Sequence, residues 1–201
     1  GGSKIPPQLG VHTVKVLEGT ETFQKPIATM AAVDIGRALG AMVIAAASTD
    51  EKLELATQYG AEMTINYSTE DIKKRTKELT GGKGVDVIYD PVGGELFEQS
   101  LRAIAPKGRM LVIGFASGVI PKLPVNLVLL KDCQVVGVFW GQFTKREPEV
   151  NAQNIRDLVR MVEDGTLTPL ISKTYPLEKA ADALNEVLAR KVVGKLVLTT
   201  G

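Results

Sequence analysis

The sequence predicts an α/β fold: a doubly wound, mostly parallel sheet with helices on both faces, followed by a C-terminal helix-strand extension. Three observations carry that expectation. Short apolar runs alternate with helical patterns from residue 13 onward. Several of the runs are apolar at nearly every position, as strands covered on both faces require. Glycines stand where each helical pattern returns to a strand.

The first strand candidate is Val14–Leu17, and the first helical pattern is Ala31–Leu39, closed by Gly40. A dinucleotide-binding unit would join them by a glycine-rich turn that lets a pyrophosphate approach backbone N–H groups at the helix N-terminus. Here the connection, Glu18-Gly-Thr-Glu-Thr-Phe-Gln-Lys-Pro-Ile-Ala-Thr29, carries one glycine, two glutamates and a proline. The scaffold is that of a nucleotide binder; the phosphate cradle is not.

The elements that follow keep the alternation. Strand Met42–Ala47 leads to the capping sequence Ser48-Thr-Asp-Glu51 and a helix over Asp50–Tyr59, which Gly60 ends. Asp50 complements the positive end of that helix. Strand Met63–Asn66, helix Thr69–Leu79, strand Val85–Tyr89 and helix Glu95–Ala105 come next, with Gly81-Gly82 and Gly108 at the returns. Strands Arg109–Ile113 and Gln134–Phe139 complete a Rossmann-like series of right-handed crossovers. Beyond Trp140 a long helix is expected over Pro148–Gly165, with Val150, Ile155, Leu158, Val159 and Val162 at helical spacing. Tyr175-Pro176 breaks the chain, Leu177–Leu188 is helical, and Gly194–Thr200 is a final strand. The domain reading is a tag or linker remnant at 1–12, a dinucleotide domain at 13–165, and an extension at 166–201 packed on it.

Composition narrows the function. A hydrophobic content of 44% and a charged content of 23% are those of an ordinary soluble protein. A net charge of +1 gives no electrostatic ground for binding nucleic acid or a membrane surface. No apolar run in the sequence reaches membrane-spanning length, and no secretory signal is expected. The single cysteine, Cys133, excludes an internal disulfide and points to a reducing, cytoplasmic setting. With the single histidine, His12, it leaves too few soft ligands for zinc, so no metal is expected. Gly1-Gly-Ser3 reads as a tag or linker scar.

Six phrases carry a family resemblance: AAVDIGRALGA, TDEKLELA, YGAEMTINY, GVDVIYDPVGGELFEQSLRAIAPKGRMLVIGFASG, KLPVNLVLLKDCQVVGVFWG and YPLEKAADALNEVLARKVVGKLVL. In this order, from Ala31 to the C-terminus, the chain resembles the quinone oxidoreductase (zeta-crystallin-like) branch of the medium-chain dehydrogenase/reductase superfamily. The resemblance implies NADPH as cofactor, reduction of quinones or enones, and no zinc. It also implies a substrate-covering domain N-terminal to the nucleotide domain, which is expected to be absent here because a dozen residues precede the first strand.

The candidate cofactor-binding residues follow. A domain selective for NAD places an acidic residue at the end of the second strand, on the ribose 2′-OH. Here Ser48 stands there with Lys52 one helical turn on, which suits a 2′-phosphate, although Lys52 also reads as a solvated helix residue. Tyr67 resembles the family tyrosine near that phosphate; anchoring the sheet edge is an equal reading. Val92 and Gly93, after the fourth strand, would lie under adenine and ribose, or serve only a tight turn. By resemblance Gly114, Phe115, Phe139 and Trp140 line the nicotinamide end, with a core or interface role open for Phe139 and Trp140. No catalytic side chain is assigned. Cys133 reads as a small packed hydrophobe.

Three functions stay open. The chain is a cofactor-binding domain of an NADPH-dependent reductase, incomplete for catalysis alone; or an engineered scaffold with a grafted loop at 18–29; or a natural, inactive fragment. A protein partner through 18–29 and a homodimer are the partners these readings allow.

Overall fold

Val43 to Ala47 are all buried, and their side chains enter two different cores in turn. That alternation fixes the architecture, because successive strand residues face opposite sides of a sheet. Val43, Ala45 and Ala47 pack with Met30, Val33, Leu53 and Ala56 on one side. Ile44 and Ala46 pack with Ile65, Ile72, Ile88, Phe97 and Leu101 on the other. Both faces of the sheet are therefore covered.

The protein is described from a computed structural model that covers residues 13–17, 27–189 and 195–200. Its strands are β1 (Thr13–Leu17), β2 (Met42–Ala47), β3 (Met63–Asn66), β4 (Val85–Asp90), β5 (Ile104–Val112) and β6 (Gln134–Gly137), then β7 (Ile171–Pro176) and β8 (Lys195–Thr199). Its helices are α1 (Ile27–Ala38), α2 (Asp50–Gln58), α3 (Ile72–Leu79), α4 (Gly94–Leu101), α5 (Val125–Lys131), α6 (Trp140–Arg146), α7 (Pro148–Glu163) and α8 (Ala180–Leu188). The first six strands form one parallel sheet in the order β3-β2-β1-β4-β5-β6. Helices α1 and α2 cover one face, and α3, α4 and α5 the other. The order reverses between β1 and β4, which opens a crevice at the carboxyl ends of those strands.

Several boundaries differ from the sequence expectation, each for a local reason. The helix expected over Glu95–Ala105 stops at Leu101, and β5 starts at Ile104. Ala103, Ile104 and Ala105 are buried, and Val85 N–H donates to Ala103 O at 3.1 Å, so sheet pairing overrides helical continuation. Gln134–Phe139 ends as a strand at Gly137; Phe139 is the N-cap of α6 and Trp140 its first residue, so neither is a strand-end residue. Tyr175 and Pro176 do not break the chain but close β7, which pairs in parallel with β8. Only Tyr175 is buried in β7, which left no apolar alternation to read. The helix expected from Leu177 begins as a 3-10 turn at Leu177–Lys179. Helix α1 starts at Ile27, before the expected Ala31. The N-cap of α2 is Thr49, without a side-chain capping bond, whereas Asp71 caps α3 by accepting from Lys74 N–H at 2.6 Å. The apolar stripe of α7 has the expected spacing, but all five of its residues are exposed. His12 and segment 18–26 lie outside the described residues.

One buried carboxylate fastens the C-terminal extension. Asp34 on α1 is paired with Arg37 at 2.7 Å and accepts from Thr168 N–H at 2.8 Å. Arg37 in turn donates to Thr166 O at 2.5 Å. Farther on, Lys195 N–H donates to Leu170 O at 2.7 Å, and Tyr175 and Lys173 both meet Glu186 of α8.

Cys133 is half-buried against the α3–α5 core. Burial pushes its thiol up, partly offset by Lys131, with Asp132 adding to the rise. The sign follows: the folded protein favours the neutral thiol, so this contribution to stability is present below the unfolded thiol pKa and lost as pH rises through the folded one. Alkylation by iodoacetamide at pH 8 is expected to be slower than for a free cysteine peptide, and to go on rising with pH above the range where the peptide levels off. A pH–rate profile by mass spectrometry checks it.

Candidate cofactor site

The carboxyl edge of the sheet collects every candidate residue named from the sequence. Ser48 follows β2, Tyr67 follows β3, Val92 and Gly93 follow β4, Gly114 and Phe115 follow β5, and Phe139 and Trp140 follow β6. Lys52 lies one turn into α2. The edge order therefore runs from Tyr67 through Ser48, across the β1–β4 switch point, to Trp140.

At the β2–β3 end, Lys52 Nζ lies 3.5 Å from Ser48 Oγ. Tyr67 N–H donates to Ala47 O at 3.0 Å, and the Ser68 hydroxyl donates to Ser48 O at 2.9 Å. Asn66 Nδ2 donates to Asp50 Oδ1 at 2.7 Å. The Ser48 hydroxyl and the Lys52 ammonium thus share one corner, with the Tyr67 backbone bonded to the end of β2 beside them. That donor set suits a phosphate better than a bare ribose hydroxyl. Tyr67 packs against the α3–α5 core, the contact that an anchor of the sheet edge makes.

At the switch point, Asp90 ends β4 and is buried to 1% exposure. Its Oδ1 accepts from Val92 N–H at 2.8 Å and Gly93 N–H at 2.9 Å, and its carbonyl accepts from Ile113 N–H at 2.9 Å. This is a side chain standing in for a backbone turn. Gly93 has φ 69°, and a Cβ there would lie 2.9 Å from the Phe115 ring and 3.0 Å from Val119 O. The glycine is required both by its backbone angle and by the approach of the loop after β5. Asp90 was not among the sequence candidates. Its signal was present in Asp90-Pro-Val-Gly-Gly94, an aspartate two and three residues before the amides it holds.

At the β5–β6 end, Val138 N–H donates to Val112 O at 3.0 Å. Phe139 and Trp140 are 73% and 64% exposed, with Leu129 and Leu130 also exposed on α5. Residues 18–26, between β1 and α1, lie outside the described residues.

The fold and its carboxyl edge are those of a dinucleotide-binding domain of the dehydrogenase class. The family described as zinc-binding dehydrogenase matches residues 28–157, and the chain belongs to it. It is 40% identical over 173 residues to the quinone oxidoreductase-like protein 2 homolog of Nematostella vectensis, covering 85% of this chain and 47% of that protein. A mycobacterial quinone oxidoreductase structure matches with a TM-score of 0.83 at 29% identity, over 96% of this chain and 58% of that one. A mycobacterial protein solved in complex with NADPH matches with a TM-score of 0.77 at 29% identity, over 93% of this chain and 56% of that one. The chain thus spans about half the length of the curated relatives it matches. Among the described residues, no group of three or more His, Cys, Asp or Glu side chains could hold a metal. Among the same residues, no helix is long and apolar enough to cross a membrane.

Proposed function

We propose that this chain is the cofactor-binding half of an NADPH-dependent reductase of quinones or enones, incomplete for turnover by itself. The observation that carries the reading is the corner at the end of β2: Ser48 and Lys52 stand where a carboxylate would select the unphosphorylated cofactor. When bound, NADPH supplies a hydride. Lys52, Ser48 and Tyr67 hold the 2′-phosphate, and the β4 turn at Val92-Gly93 supports the adenosine. Gly114 and Phe115, with Phe139 and Trp140, orient the nicotinamide and exclude water from one side of it. The opposite side is left to the part of the longer relatives that this chain does not span. Such chemistry rests on orientation and exclusion of water, so it needs no titrating side chain from this half. The reading extends to a homodimer, in which the exposed Leu129 and Leu130 of α5, beside the edge strand β6, are covered by a second copy. No observation favours an engineered module with a grafted loop, and residues 18–26 of that loop lie outside the described ones.

Calorimetric titration with NADPH and NADH tests the reading. Lys52→Ala is expected to weaken NADPH binding about tenfold, roughly the 1.4 kcal/mol of one exposed charge-assisted contact, and to leave NADH within about twofold. Absence of NADPH binding at millimolar concentration, or equal loss for both cofactors, would sink it.

A further inference from the structure

The loop after β5 lies on the β4 turn like a second layer. Ala116 N–H donates to Pro91 O at 3.0 Å, Ser117 N–H to Val92 O at 3.1 Å, and Gly94 N–H to Val119 O at 3.0 Å. One side chain joins this backbone lacing. The Ser117 hydroxyl donates to Val92 O at 2.8 Å and accepts from Val119 N–H at 3.2 Å. Its Oγ would also be 3.0 Å from a Cβ at Gly94, so the hydroxyl sits directly over the start of α4. A hydroxyl can donate and accept at once, which neither alanine nor cysteine reproduces at this geometry.

The two layers carry different parts of the candidate site. The lower one, at Val92 and Gly93, faces the adenosine side of the crevice. The upper one, which begins at Gly114 and Phe115, faces the nicotinamide side. Without a tie each layer would find its own position, and a ligand spanning both would have to order them on binding.

We propose that Ser117 is a positioning residue: its hydroxyl, bridging Val92 O and Val119 N–H, locks the β4 turn and the loop after β5 into one unit, so that both halves of a dinucleotide meet a preformed wall. This rests on the cofactor reading above, and it predicts a difference between ligands. NADPH spans both layers, whereas adenosine 2′,5′-bisphosphate reaches only the lower one. In the full chain, Ser117→Ala raises the Kd for NADPH about tenfold and changes that for adenosine 2′,5′-bisphosphate less than about twofold, while Ser117→Thr restores NADPH binding. Equal weakening of both ligands means a merely destabilised turn and overturns the proposal, as does an unchanged NADPH affinity.

Amide hydrogen exchange of the unliganded protein separates the two readings. If the parent protein binds neither ligand, the cofactor reading falls. The tie itself then stands or falls on exchange. Joint loss of protection at residues 92–94 and 114–119 in Ser117→Ala supports it, and unchanged protection overturns it.

Discussion

Asp90→Ala is expected to destabilise the protein by about 4 kcal/mol and to lower its Tm by about 10 °C. The carboxylate is 1% exposed and accepts from two backbone N–H groups at 2.8 and 2.9 Å. Alanine leaves both donors buried without that acceptor, at about 1–3 kcal/mol each, and opens a small void beneath the turn. The loss spreads because the Asp90 carbonyl also receives Ile113 N–H, so the turn and the loop after β5 loosen together. Asp90→Asn separates charge from shape. Its amide oxygen can still accept both N–H groups, so its loss should be about half as large. Thermal and urea denaturation of both variants check this. An alanine variant as stable as the parent would mean that the turn is held by the backbone alone.

The second large effect is expected at the opposite end of β4. Gly84 has φ 88°, and a Cβ there would stand 2.5 Å from Ala103 O, 2.9 Å from Ala105 N and 2.9 Å from Ile104 C. All three are backbone atoms of the adjoining chain, which cannot move aside as a long side chain can. Gly84→Ala therefore combines about 1–2 kcal/mol of left-handed strain with forced displacement of the β4–β5 pairing, for a total of about 3 kcal/mol or more. Val85↔Ile104 is the first pair of that ladder, and its register already shifts before Val87↔Arg109. Gly82 is the control: its φ is 88° too, but a Cβ there would meet nothing within 4 Å. Gly82→Ala should carry the strain alone. Urea midpoints of the two variants measure the difference, and equal midpoints would refute the crowding argument.

The sheet was most legible in the sequence where a strand is buried on both faces and so carries an unbroken apolar run. Val43–Ala47 is the clearest case. Elements outside that environment were not legible. Strand β7 exposes all but one of its residues, and Lys173 and Tyr175 serve Glu186 on a helix later in the chain, a partnership no local pattern announces. Helices α5 and α6 were lost in an apolar stretch whose period is blurred by residues such as Leu129, Leu130 and Phe139 that stay exposed. The candidate residues other than Lys52 were placed at strand ends by the order of elements and by the family resemblance, and the structure sets them along the carboxyl edge. Asp90 and Ser117 were not singled out, because their roles depend on amides and carbonyls brought near only when β4 and β5 pair.

Asp34 also bears on where the chain can be divided. A cut after Gly165, at the boundary the sequence suggests, would keep the buried carboxylate beside Arg37 and remove Thr168 N–H, the second donor that accompanies its burial. It would likewise take away Leu167, which is buried, and Leu170, which packs on the α1–α2 side of the sheet. A shortened chain is therefore expected to keep its stability only if it runs at least through Leu170. What reads along the chain as the first residues of an appendage is, in three dimensions, the last layer of the domain.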